Sequence, residues 1–146
     1  MPTAAKLVAA CSFALLAVVT CIILHGTLPA DTRVGYAYEV SVVSAALMGW
    51  FISGAAKRTG YAEAAATGLR SAAMAVFVAL TVLSIGTMWT TAMHGRYHGL
   101  MDAVLDIVEI FLDFAGHLLS VVVLGTLFFG GILAGMITEW AGRRWR

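Results

Sequence analysis

The hydrophobic positions of this chain fall into four long runs separated by shorter polar segments. The first run, residues 7–24, contains 18 residues without a charge, which is about the length needed to cross the hydrocarbon of a bilayer. The other three runs cover about 38–56, 72–93 and 120–140. This pattern predicts four transmembrane helices that form a single membrane domain over residues 1–146.

A fifth element lies before the last run and has a different pattern. Between residues 101 and 119, polar side chains recur at spacings of 4, 3, 4 and 4 residues: Asp102, Asp106, Glu109, Asp113 and His117. At about 100° per residue these five positions share one narrow face of a helix, and most of the remaining positions are apolar. We call these five residues the acidic stripe. The segment is predicted to be an amphipathic helix, so the fold class is an all-α membrane protein with four spans and one amphipathic helix on the periplasmic side.

Composition agrees with a membrane location. The chain is 61% hydrophobic and only 12% charged, so 17 charged side chains would have to solvate a domain of 146 residues. That number is too small for the surface of a soluble domain of this size.

The distribution of basic residues predicts the orientation. Seven of the nine lie before the first span, between the second and third spans, or after the last, and two lie in the other loops. Because Lys and Arg are enriched on the cytoplasmic side, both termini are predicted to be cytoplasmic, in the bacterial inner membrane. Arg143, Arg144 and Arg146 in the terminal "WAGRRWR" are predicted to anchor the last span at the inner interface. The first run is longer than the apolar core of a cleaved signal, so we expect it to be retained.

Three alternatives remain for the acidic stripe. In the first, the helix lies at the outer interface with the stripe facing water. In the second, the stripe docks against other helices or another protein, where carboxylates are costly unless they are paired. In the third it binds a cation, with His94, His98 and Asp102 as candidate metal ligands.

The last span contains a GxxxG pair, Gly131 and Gly135, which allows two helix backbones to approach closely. That contact can form within the chain or between two copies. Motifs for nucleophilic, metal-dependent or phosphate-binding catalysis are absent from the sequence. We therefore expect no enzymatic activity, no cofactor and no nucleic-acid partner.

Three segments together resemble the TrgA family of small bacterial membrane proteins associated with tellurite resistance. They are "MPTAAKLVAA" at the start, "RYHGLMDAVLDIVEI" before the last span, and the closing "GGILAGMITEWAGRRWR". The resemblance implies an inner-membrane protein linked to tolerance of a toxic oxyanion, and it supplies no catalytic residues. Because the predicted outer face is acidic and repels a dianion such as tellurite, we expect an indirect route.

The sequence also permits a function of another class. A four-span chain without a soluble domain suits a small accessory subunit of a larger membrane complex, respiratory or photosynthetic, held by its apolar helix faces and the acidic stripe. The expected partners are thus the lipid bilayer and either a larger complex or further copies of the chain.

Overall fold

The computed structural model describes residues 4–27, 36–56, 60–93 and 100–144; within these ranges, the side chains at 25, 27, 92, 100, 102 and 103 are not described. The described residues form five α-helices. They are α1 (Ala4–Thr27), α2 (Ala37–Met48), α3 (Tyr61–Met93), α4 (Leu100–Leu118) and α5 (Val121–Arg144). Helix α2 continues directly into a π-helical segment, Gly49–Ser53. The helical fold class is therefore as predicted.

Three helices are long and apolar enough to cross a membrane: Ala4–Leu24, Tyr61–Thr91 and Val121–Arg144. The predicted second span corresponds to the shorter apolar helix Ala37–Ser53. Its 17 residues extend about 25 Å at 1.5 Å per residue, against a hydrocarbon thickness of about 30 Å.

Helix α3 begins eleven residues before the predicted third span. Gly60 has φ +146, a conformation that favours glycine, and its carbonyl accepts a hydrogen bond of 2.9 Å from the Ala64 N–H. Glu63 and Arg70, which the charge pattern assigned to a loop, therefore lie within α3. The prediction that Arg70 belongs to a loop is therefore wrong. Its side chain is exposed on the helix surface, so its charge does not prevent the helix from continuing.

Four of the helices pack in a closed ring in the order α1, α2, α3, α5. Neighbours run antiparallel: Gly49 and Gly54 of the second helix contact Phe13 and Lys6 of the first. Small residues allow the close packing. The core cluster consists of Phe13, Leu16, Ala17, Ala45, Ala72, Ala75 and Ala134.

Buried hydroxyl groups inside this ring are satisfied within their own helices. Thr20 donates to the Leu16 carbonyl and Thr138 to the Ala134 carbonyl, both at 2.8 Å. Such bonds to the carbonyl four residues earlier let Ser and Thr occupy an apolar interior without an unpaired donor.

Helix α3 is longer than its neighbours and extends past them. Its 33 residues span about 50 Å. The packing of Gly131 beside Ala72 places the start of α5, ten residues earlier, about level with Val82 of α3. The remaining residues, 83–93, extend beyond the ring, and we call them the α3 extension.

Helix α4 packs on α3 outside the ring. The ring of Phe111 contacts the ring of Phe77 edge to face, with 5.7 Å between centroids. The observed bounds, Leu100–Leu118, lie within one residue of the predicted amphipathic helix at both ends.

Candidate functional site

A cavity of about 650 Å³ opens at the end of the helix ring where α1 ends and α2 begins. Its floor is formed by core residues, including Phe13, Ala45 and Ala72. Higher up, the lining residues come from the α3 extension, the start of α2 and the second half of α4. The volume lies in the range of small-molecule sites, and the lining is mostly apolar.

Small residues on one face of α3 create this space. Ala72, Ala75, Ala79 and Gly86 all line the cavity, at intervals of 3, 4 and 7 residues that keep them on the same side of the helix. A Cβ placed on Gly86 would meet no atom within 4 Å. The cavity is therefore open space beside the α3 extension, and no side chain of the described residues fills it at Gly86.

Aromatic and polar side chains surround the upper part of the cavity. Tyr36 and Tyr38 come from the start of α2, and Trp89 comes from the α3 extension. All three are exposed. Thr87 and Thr90 of the same extension complete this rim with hydroxyl groups.

Helix α4 contributes the last two residues of the acidic stripe to the cavity. Asp113 and His117 both line it, whereas Glu109 is exposed and does not, and Asp106 is half-buried. Asp102 lies in α4, but its side chain is outside the described set. Of the stripe side chains that are described, the structure thus brings the two C-terminal ones, Asp113 and His117, to the cavity.

The ring of His117 has a defined orientation. Its Nδ1 lies 2.8 Å from the Asp113 carbonyl oxygen. Because a carbonyl oxygen only accepts, Nδ1 carries the hydrogen in this contact. In the neutral ring Nε2 is then a hydrogen-bond acceptor, and Asp113 lies one helical turn earlier on the same face of α4.

The structure does not describe the side chains of the three candidate metal ligands. His94 and His98 lie outside the described residues, as does the side chain of Asp102. Within the part of the chain that is described, no group of three or more His, Cys, Asp or Glu residues could hold a metal ion.

The GxxxG pair lies at the contact between α5 and α3. A Cβ at Gly68 would overlap the carbonyl oxygen of Gly131 and lie 2.8 Å from the Cα of Gly135. A Cβ at Gly135 would in turn overlap the Ala64 carbonyl oxygen. Gly131 and Gly135 therefore form a helix contact within the chain, which is one of the two possibilities that the sequence left open.

The basic end of α5 forms an ion pair at the opposite end of the ring from the cavity. Arg143 Nε donates to Glu139 Oε1 at 2.8 Å, and the guanidinium carbon lies 4.9 Å from the centroid of the Tyr61 ring. Glu139 is 8% exposed and Arg143 49%. Arg144 is exposed, and Arg146 lies outside the described residues.

Sequence reasoning did not identify the cavity. Two signals point to it in retrospect: the repeated small residues along α3, at the spacing of one helix face, and the tyrosine pair Tyr36 and Tyr38 at the start of a short helix. Neither signal specifies a cavity, because small residues also permit close helix packing, as Gly68 does.

Comparisons of the chain with protein-family models, with characterised proteins and with solved structures give no match.

Proposed function

We propose that this chain is a four-span, non-enzymatic protein of the bacterial inner membrane that contributes to tellurite tolerance by an indirect route. The observation that carries the membrane part is the set of three helices long and apolar enough to span, packed with α2 in one closed ring. The tellurite part comes from the resemblance to the TrgA family.

In this proposal α2 and its π-helical continuation form the fourth crossing. Antiparallel packing against α1 and α3 supports a crossing rather than a surface helix. A span of about 25 Å is short by a few ångströms, a mismatch that bilayers accommodate by local thinning. Four crossings leave both termini on one side, which the excess of basic residues makes the cytoplasmic side.

An indirect route is favoured by the chemistry of the cavity. Its described lining contains the carboxylate of Asp113 and no Lys or Arg. A dianion entering it would lose hydration to an apolar surface and meet a negative charge. The cavity is thus unsuited to holding tellurite, and the chain would act on membrane integrity or through a partner.

The test is a deletion strain complemented from a plasmid and grown over a series of tellurite concentrations. We expect the deletion to lower the tolerated concentration and the unaltered chain to restore it. Topology is tested by reporter fusions after residue 146 and within residues 94–99, which should report opposite sides. Unchanged tolerance in the deletion strain would exclude the tellurite role and leave the membrane architecture standing.

A second candidate, an accessory subunit of a larger membrane complex, is favoured by one observation. Helix α4 and the α3 extension lie outside the helix ring, yet they expose several large apolar side chains. These are Ile85, Trp89, Met93, Met101, Val104, Leu105, Val108 and Leu112. An apolar surface of this kind suits contact with another membrane protein as well as with lipid.

Gentle detergent extraction, native gel separation and mass spectrometry test this candidate. An accessory subunit should migrate with a larger complex in fixed stoichiometry. The double variant Asp106→Lys and Asp113→Lys should release it, whereas Glu63→Lys, an exposed acid at the other end of α3, should not. Migration as a monomer or a small homo-oligomer would contradict the accessory role.

A further inference from the structure

We propose that the cavity binds an amphiphilic amine, with its apolar body against α1 and α3 and its protonated nitrogen between Asp113 and His117. This binding activity is separate from the tellurite role, and its test does not depend on that role. The argument rests on the cavity, its charge, its hydrogen-bonding groups and its aromatic rim.

The shape and lining of the cavity specify the apolar part of the ligand. The cavity extends from the helix core at Phe13 and Ala72 to the rim at Thr90. Most of this path is lined by Ala, Leu, Val and Phe side chains, which offer no hydrogen-bonding partners. A ligand that fills it therefore needs an extended hydrocarbon body, and its polar group must remain at the rim.

The charge of the rim specifies a cation. Asp113 is the carboxylate that lines the cavity, and Glu109 lies one helical turn before it on α4. The described lining residues include no Lys or Arg to neutralise Asp113. A positive charge on the ligand is the complement of this rim, and a negative one is repelled.

The orientation of His117 narrows the cation to one that carries N–H groups. With Nδ1 donating to the Asp113 carbonyl, the neutral ring offers Nε2 as an acceptor. The Asp113 carboxylate is a second acceptor on the same side of α4. Two acceptors one turn apart match a protonated amine, which has donors to share, and a quaternary ammonium has none.

Aromatic side chains at the rim complete the match. Tyr36, Tyr38 and Trp89 all line the upper cavity. Ammonium groups are attracted to the faces of such rings within about 6 Å of the centroid. Free amphiphilic amines and ethanolamine lipids both carry the required headgroup, so the experiment must separate these two sources.

The full chain in phosphatidylcholine nanodiscs is titrated with dodecylamine, and bound molecules are counted by native mass spectrometry against empty discs. We expect saturable binding of one dodecylamine per chain. Dodecanol, which has the same hydrocarbon body without charge, and dodecyltrimethylammonium, which has the charge without N–H groups, should each bind at least about tenfold more weakly. If either compound bound as tightly as dodecylamine, the proposal would be overturned.

Two pairs of matched variants locate the site. Asp113→Asn should weaken dodecylamine binding at least about tenfold, whereas Glu109→Gln, which removes the same charge from the same helix outside the cavity, should leave it within about twofold. Gly86→Leu should block the cavity, whereas Gly125→Leu should not. A Cβ at either glycine meets no atom within 4 Å, so both variants should fold, but only Gly86 lines the cavity. An equal loss in both members of either pair would overturn the proposal.

Phosphatidylethanolamine titrated into the discs identifies the source of the headgroup. Displacement of dodecylamine from the unaltered chain by phosphatidylethanolamine would support an ethanolamine lipid as the ligand, and undiminished dodecylamine binding would support a free amine. If discs that contain the chain show no saturable dodecylamine binding beyond that of empty discs, the site is excluded.

Discussion

The two ends of the helix ring are built from the same small residues and have opposite properties. At one end, Gly68 on α3 meets Gly131 and Gly135 on α5 so closely that a single methyl group would clash. At the other end, Gly86 on the same helix faces open space. Small residues therefore do not determine by themselves whether helices close together or leave a cavity.

The difference arises from what lies opposite each small residue. Beside Gly68 the neighbouring helix also carries glycines, so two backbones come into contact and gain dispersion energy. Beside Gly86 an added Cβ would meet no atom within 4 Å, and the cavity residues at this level come from the start of α2 and the end of α4. No second glycine-bearing backbone packs against α3 there, so the space remains open.

The largest expected effect comes from adding a side chain at the closed end. Gly68→Leu should destabilise the folded protein by at least about 3 kcal/mol, because the added Cβ overlaps backbone atoms of α5 that cannot move aside. Unfolding by SDS titration in mild detergent measures the change. Gly125→Leu, in open space on α5, is the control. Equal destabilisation in the two variants would show that the close contact between Gly68 and α5 does not account for the loss of stability.

A smaller effect is expected from the ion pair at the closed end. Arg143→Ala should lower the free energy of unfolding by about 1–2 kcal/mol, because it leaves the buried Glu139 carboxylate without its partner. The half-exposed position of Arg143 keeps the effect below that of a fully buried pair. Arg144→Ala removes the same charge from the next, exposed position. Similar thermal stability of the two variants would contradict the role assigned to the pair.

At the open end, Phe111→Ala should cost about 1 kcal/mol and act locally. The variant loses the edge-to-face contact with Phe77 that holds α4 on α3. Hydrogen exchange followed by mass spectrometry should then show faster exchange in α4 and unchanged exchange in α5. Faster exchange throughout the chain would mean that α4 is part of one cooperative unit with the ring.

The smallest effect has the opposite sign. Gly86→Leu should stabilise the protein by about 0.5 kcal/mol, because leucine favours helix more than glycine does and its side chain enters an apolar space without a clash. The same chemical change thus destabilises at Gly68 and stabilises at Gly86. Measured in the same SDS titration, a loss of stability at Gly86 would show that the cavity is smaller than described.

The sequence predicted elements whose signal is local and missed features that depend on packing. The acidic stripe located α4 to within one residue at each end, because a repeated spacing of three to four residues is a property of a single helix. The predicted third span begins eleven residues after the start of α3, because the charges of Glu63 and Arg70 indicated a loop. Gly68 is in fact required in the helix, and the reason lies on α5.

The cavity was beyond prediction for the same reason. Asp113 and His117 were candidates for docking because of their place in the acidic stripe, but the stripe gave no means to separate them from Glu109. Only the position of α4 against the α3 extension brings these two residues, and not Glu109, to the cavity.

In the proposed membrane architecture, the ion pair between Glu139 and Arg143 also bears on how the last helix would enter the bilayer. A lone carboxylate or guanidinium costs roughly 2.5–3.5 kcal/mol at the centre of an inserting segment, and less near its end. The two residues are four positions apart on one helix, so their contact forms as soon as that turn of helix forms, before any other helix is present. In that architecture the segment would leave the translocation machinery with the two charges already paired, so that Glu139 would not need the other helices in place to have a partner.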